Sequence, residues 1–206
     1  MNGRKRIGAF VLVVFSCVLL MSSVAEAQEE KDKSQFNLAP ARDLRLTLTT
    51  DKVTYRVNDE IRLTTTLENV SQDGFYIDPD LALNVSVSHG MALDVQSFDE
   101  DGNEVFHYLL AADSFLFEFP DSIIDEIKRS FLVLRAGRFY GTSAVRTSEE
   151  YQMLQKPGRY RLVATYSSVL FDMLTEKQRK RLSSLPHPLW SGEEIQSEPV
   201  WIEVVE

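Results

Sequence analysis

Beyond residue 42, apolar and polar positions alternate with a period of two along most of the chain, as in a strand with one buried face. Leu44, Leu46 and Leu48 alternate with Arg45, Thr47 and Thr49. Val53, Tyr55 and Val57 follow, the chain turns at Asn58-Asp59, and Ile61, Leu63, Thr65 and Leu67 alternate with Arg62, Thr64, Thr66 and Glu68. Threonine and β-branched residues dominate, which suits a pleated, half-buried surface. Short strands are expected at Gly74–Ile77, Leu83–Val87 and Ala92–Phe98. The loop Asp99–Asn103 then closes a hairpin whose return strand is Glu104–Tyr108. The clearest alternation comes late. After the Pro157-Gly158 corner, Tyr160, Leu162, Ala164 and Tyr166 share one face. A last strand opens at Pro199 with Val200, Ile202 and Val204 on one side.

The rhythm breaks in two places. From Leu109 to Phe119 the chain carries Leu109, Leu110, Phe115, Leu116, Phe117 and Phe119, more apolar surface than one strand face buries; it is either core under the next helix or an exposed interface. Ser122 and Asp125 have capping-box spacing ahead of a short helix through Ile123, Ile124 and Ile127. Phe131, Val133 and Arg135 resume a strand, Phe139–Val145 forms another, and Thr147–Leu154 suits one helical turn. Thr175 and Gln178 repeat the capping-box spacing before a helix over Glu176–Ser184. Leu185-Pro-His-Pro188 ends that helix, and Trp190-Ser-Gly192 reads as a turn. Many short strands separated by turn signals, with helices only in connections, predict an all-β fold: an immunoglobulin-like antiparallel β-sandwich with short helices in its connecting loops.

The first 27 residues read as a cleaved signal peptide. Arg4, Lys5 and Arg6 precede an apolar run from Ile7 to Met21, and Ala25-Glu26-Ala27 has the small-x-small form of a cleavage site. The run is short for a membrane span. Residues 28–41 are polar and read as a flexible linker, leaving 42–206 as the domain. Cleavage removes three of the 22 basic residues and one of the 31 acidic ones, moving the net charge from −9 to −11. That balance excludes a general nucleic-acid binder, which needs a basic footprint. The single cysteine, Cys17, leaves with the signal. The exported chain therefore has no disulfide and no thiolate chemistry, and it folds on its core alone. The expected location is periplasmic or extracellular.

Thr50-Asp51-Lys52-x-x-Tyr55, the turn at Asn58-Asp59 and the alternating run to Asn69 resemble the opening of secreted bacterial immunoglobulin-like domains. Asn58 stands where that pattern commonly has glycine, and asparagine tolerates the left-handed backbone such a turn needs. Pro157-Gly158-x-Tyr160 resembles the corner before the penultimate strand, where a tyrosine hydroxyl ties back to nearby backbone. Ser197–Val204 resembles the closing strand. Macroglobulin-type domains and BsuPI-type proteinase-inhibitor domains are similar in this way. The likeness covers the two ends of the domain; residues 71–130 are longer than such domains need. It implies a fold that hosts many functions.

Candidate chemistry is sparse. His89, His107 and His187 have no Gly-x-Ser-x-Gly partner, and none sits in a triad pattern, so no enzyme is expected. A hydrolase is the weakest alternative. Asp78-Pro-Asp80 and Asp99-Glu-Asp-Gly102 have oxygens for calcium but lack regular ligand spacing, and read as solvated turns. There is no zinc pattern and no phosphate loop, so neither metal nor cofactor is assigned. Asn69-Val-Ser71 and Asn84-Val-Ser86 match the glycosylation acceptor pattern. Lys177, Arg179, Lys180 and Arg181 concentrate positive charge on an acidic protein, in the last connection, where loops often bind. With Trp190 they form the candidate surface for another protein, or for an anionic membrane surface; the plainer reading is a solvated helix. The function expected is a non-enzymatic binding or interaction module. The alternative is a proteinase-inhibitor-like domain holding one rigid loop in a protease cleft.

Overall fold

Alternating burial is realised strand by strand in the computed structural model, which describes residues 36–79, 91–105, 120–168, 170–191 and 194–206. The strands are β1 (Leu38–Ala39), β2 (Leu44–Thr50), β3 (Thr54–Arg56), β4 (Ile61–Asn69), β5 (Phe75–Ile77), β6 (Met91–Phe98) and β7 (Glu104–Val105), followed by β8 (Leu132–Leu134), β9 (Phe139–Arg146), β10 (Gly158–Ser168), β11 (Leu189–Trp190), β12 (Glu194–Gln196) and β13 (Val200–Val205). Short helices fill the connections: α1 (Ile123–Ser130), α2 (Leu170–Met173) and α3 (Glu176–Arg181). The protein is all-β, and Leu38–Glu206 form one compact unit.

Three sheets are present among the described residues. The largest runs β3-β13-β10-β6-β7, with β12 also paired to β10. A second runs β2-β4-β9 and a third β1-β11-β5-β8. Leu44, Leu46 and Leu48 of β2 and Ile61, Leu63 and Leu67 of β4 are buried. So are Leu93 and Val95 of β6, Leu162, Ala164 and Tyr166 of β10, and Ile202 and Val204 of β13. β2 lies against β10, β12 and β13, so these two sheets share one core.

Some expectations are corrected. The pairing is mixed: β1–β11, β11–β5 and β13–β3 are parallel. Each pair includes a strand of two or three residues that meets its neighbour from a distant part of the chain, where no hairpin imposes antiparallel order. Leu38–Ala39 is strand, inside the stretch read as a linker through residue 41. Trp190 belongs to β11 and is not the start of a turn. Val53 is 71% exposed, outside β3. Phe131 and Leu134 are the buried pair around β8, because Phe131 closes α1, its N–H donating to the Ile127 carbonyl, before the strand begins. Ser122 makes no side-chain cap and has helical backbone. The second capping box forms as expected, with Thr175 and Gln178 reciprocally bonded. The signal segment, residues 28–35, the strand at Leu83–Val87, the Leu109–Phe119 stretch, Asn84, His89 and His107 lie outside the described residues.

Two quoted motifs resolve into hydrogen bonds. The Tyr55 hydroxyl donates to Asp51 Oδ1 at 2.9 Å and accepts from the Lys52 N–H at 3.1 Å. Asp51 Oδ1 also accepts from the Arg62 N–H at 2.8 Å, which pins the loop between β2 and β3 to β4. Burial, with Asp51 alongside, pushes the Tyr55 hydroxyl up to about 12. Asn58 adopts φ 66°, the left-handed turn expected of it. At the other end, the Tyr160 hydroxyl donates to the Lys156 carbonyl at 3.0 Å. Gly158 lies under that ring, where a Cβ would come within 3.2 Å of the hydroxyl oxygen. Because Lys156 is exposed, Tyr160→Phe is expected to cost about 1 kcal/mol in urea unfolding, the net value of one such bond. An unchanged unfolding midpoint would show that the tie contributes nothing.

Candidate functional site

The basic helix holds two connections of the fold together. Lys177 Nζ pairs with Asp121 Oδ2 at 2.8 Å. Arg181 bonds to the Asp121 carbonyl and pairs with Asp125 at 3.6 Å. Gln178 Nε2 donates to the Pro120 carbonyl at 3.1 Å. Together these tie α3 to the start of α1. Arg179 donates to the carbonyls of Phe171 and Asp172, at 3.0 and 2.9 Å, and its guanidinium lies over the Phe171 ring. It thereby closes the C-terminal end of α2, the expected place for a cation. Lys180 pairs with Glu176 one turn back. The Lys177 hydrogen bond, with its charge, draws the Asp121 carboxyl below its ordinary range. All four cations thus have internal partners. Trp190 is a correction. It is fully buried, stacked on Tyr166 with ring centroids 4.6 Å apart, and is not on any surface.

A different pair of cations stands outward. Because Tyr160 and Leu162 point into the core, Arg159 and Arg161 point to the solvent side of β10. On β13 the same parity turns Trp201 outward, and on β6 it turns Phe98 outward. The register places Arg161 opposite Trp201 on one side and Phe98 on the other. The Arg159 guanidinium lies 4.6 Å from the Trp201 ring centroid and that of Arg161 lies 4.5 Å from Phe98. Neither arginine forms an ion pair among the described residues, although the protein has more carboxylates than cations. Trp201 remains 41% exposed. Each guanidinium rests on a π face and keeps donors for a second, anionic or carbonyl partner.

The other candidates do not assemble. Among the described residues no three His, Cys, Asp or Glu side chains converge as a metal site. Asp99 Oδ1 and Oδ2 accept from the Asn103 N–H and Nδ2 at 2.8 and 3.0 Å, so the carboxylate closes its own hairpin loop. His187 lies edge-on to Tyr76. Asn69 is fully buried, with Nδ2 donating to the carbonyls of Asp73 and Leu134, each at 2.7 Å. It cannot carry a glycan in the folded protein. A cleft of about 640 Å³ opens between β2 and the β12–β13 bend, lined by Arg42, Leu46, Leu48, Ile195, Gln196 and Pro199. No helix among the described residues is long and apolar enough to cross a membrane.

No protein-family model matches the chain, and no curated protein matches it. Solved structures give distant likenesses. The C-terminal domain of wzt is 8% identical over 84% of both chains, with a TM-score of 0.39. The CARDB domain of the PF1109 protein from Pyrococcus furiosus, solved with di-metal ions, is 12% identical over 79% of this chain and 93% of its own, at 0.34. The DNA glycosylase AlkC from Pseudomonas fluorescens, bound to abasic DNA, is 8% identical over 80% of this chain, at 0.36. This chain spans about a third (31%) of the AlkC length. Likeness at this level carries no argument about function.

The outward row of Arg159, Arg161, Trp201 and Phe98 was legible only in part. Trp201 sits at an outward position of the last strand, and Arg159 and Arg161 at outward positions of the most regular one. A large aromatic on the polar side of an alternating strand is the signal. Only register shows that the four meet, because β6, β10 and β13 are far apart in sequence.

Proposed function

We propose that the protein is an exported immunoglobulin-like sandwich domain that acts as a non-enzymatic binding module, and that it takes another protein on the solvent face of β6, β10 and β13. The observation that carries this reading is the pair of guanidiniums, Arg159 and Arg161, without ion-pair partners among the described residues and resting on the outward rings of Trp201 and Phe98. Tryptophan and arginine are the residues most enriched where a few side chains dominate binding. Planar guanidiniums held on aromatic rings are pre-ordered, so less entropy is lost when they engage a carboxylate. The partner this surface suits is a protein segment presenting acidic side chains. The exported domain's own net charge of −11 would repel such a partner elsewhere and leave this face as the approach.

The test is a pull-down from the native secretome with three baits: the parent, Arg159→Ala with Arg161→Ala, and Arg179→Glu with Arg181→Glu. Parent and helix variant are expected to retain the same partner, while the sheet variant loses it by about tenfold or more, since truncating dominant contacts costs more than 1 kcal/mol each. Raising the salt concentration should weaken capture as well. Loss in the helix variant with retention in the sheet variant would move the binding surface to α3.

A further inference from the structure

β9 runs along the outer side of its sheet, and its pairing parity can be read from one bond. The Asn69 N–H donates to the Arg138 carbonyl at 2.9 Å. With the β4–β9 register, this directs the backbone groups of Tyr140, Thr142, Ala144 and Arg146 toward β4. Those of Phe139, Gly141, Ser143 and Val145 therefore face away from the sheet. Among the described residues no strand pairs with that edge. Phe139, Gly141, Ser143 and Val145 also lie on the solvent face, with Phe139 74% and Val145 38% exposed. Natural edge strands are commonly protected by charge, proline, a bulge or short length. β9 is eight residues long, and none of the seven from Phe139 to Val145 is charged or proline.

We infer that this edge is the surface on which a second copy of the chain docks, β9 against β9 in antiparallel order, to make one continuous sheet across two molecules. Two features select a copy of this chain as the occupant. First, the strand is self-complementary. When Thr142 meets its own symmetry mate, Phe139 faces Val145 of the other copy, Gly141 faces Ser143, and Tyr140 faces Ala144. The two most exposed apolar side chains of the edge then cover each other twice, and an outward N–H and C=O meet at every hydrogen-bonding position. Second, the two ends differ in charge. Arg135 and Arg138 precede the strand, without ion-pair partners among the described residues. At the other end Glu150 already pairs with Arg146 at 3.4 Å, and Glu149 lies beside it. In the Thr142-centred antiparallel register Arg138 of one copy faces Arg146 of the other, whose charge Glu150 already offsets, and Arg135 comes to the end that carries Glu149; parallel order would set Arg135 and Arg138 against their own mates. On a protein whose net charge opposes self-association, a strand without charge from Phe139 to Val145 is where two copies can meet.

Sedimentation equilibrium on the exported chain tests this. The parent is expected to show a weight-average mass that rises with concentration toward twice that of the monomer. Ser143→Pro removes one outward N–H and leaves the β4 ladder intact; Phe139→Lys puts charge on the apolar pair. Each is expected to weaken the dimer by about tenfold or more, with circular dichroism and melting temperature unchanged. A parent that stays monomeric up to millimolar concentration overturns the inference, and so does a dimer that a folded Phe139→Lys variant leaves intact. Should Ser143→Pro fail to fold, Phe139→Lys decides alone.

Discussion

Trp190→Ala is expected to destabilise the protein by about 3–5 kcal/mol, the range for truncating a large buried aromatic. Trp190 is fully buried in β11, the strand that joins β1 to β5, and it stacks on Tyr166 of β10 at an interplanar angle of 20°. It therefore links the core of the β1-β11-β5-β8 sheet to that of the largest sheet. Truncation leaves a void the size of an indole between strands whose positions are fixed by their own ladders, so collapse recovers little of the loss. Trp190→Phe should cost far less. The Trp190 Nε1–H has no hydrogen-bond partner among the described residues, so phenylalanine gives up no bond to them and keeps a stacking face for Tyr166. Urea unfolding followed by circular dichroism measures both. A loss below about 1 kcal/mol for the alanine variant is what an exposed Trp190 would give and would contradict this burial.

Asn69→Ala is expected to cost about 2–4 kcal/mol, because one side chain satisfies polar groups of three residues in two segments. Its amide donates to the Asp73 and Leu134 carbonyls, and its Oδ1 accepts from the Ser71 N–H at 2.9 Å and from the Ser71 hydroxyl at 2.7 Å. The bond to Leu134 joins the end of β4 to the end of β8, so its loss strands a carbonyl away from water. Asn69→Asp keeps the acceptor, loses both donors and places a carboxylate in a fully buried position. Burial raises the pKa of such a group above its unfolded value. Its destabilisation should therefore shrink as pH falls and the carboxyl protonates, while the alanine variant shows no such relief. Equal pH profiles for the two variants, or a glycan found on Asn69 in the folded protein, would show that this side chain is not locked inside.

Local regularities were readable because they depend on near neighbours. Leu44-Leu46-Leu48, Ile61-Leu63-Leu67 and Tyr160-Leu162-Ala164-Tyr166 were assigned correctly to buried faces, since strand geometry alone sends every second side chain to the same side. The Thr175–Gln178 capping box spans one helical turn and formed as read. Asn58 took the left-handed turn, and the Tyr160 hydroxyl tied back to Lys156. The misreadings fall where a distant partner decides. Trp190 looked like a turn residue beside Ser191 and Gly192, but a three-sheet core offered its indole a dry site. For Lys177, Arg179 and Arg181, read as a candidate partner patch with a solvated helix as the plainer reading, the partners were not legible: Asp121, Asp125 and the carbonyls of Phe171 and Asp172 engage them across up to 60 positions of sequence. Ser122 had the spacing of a cap, but its backbone turned helical first, which takes the hydroxyl out of capping geometry.

By itself, the order of residues determined an all-β chain, the strands with one dry face, the Thr175–Gln178 cap, the Asn58 and Tyr160 corners, and the acidic balance. Those properties follow from dihedral preferences, period-two alternation and composition, none of which needs a partner far along the chain. Only the tertiary structure decided which cations lack ion-pair partners among the described residues, that Arg161 lies between Trp201 and Phe98, that Trp190 and Asn69 are interior, and that the outward backbone groups of β9 pair with no strand among the described residues. Each of these depends on register and on which strands become neighbours. Both are set by closure of the common core across long separations, where the alternating pattern is the same for many possible pairings.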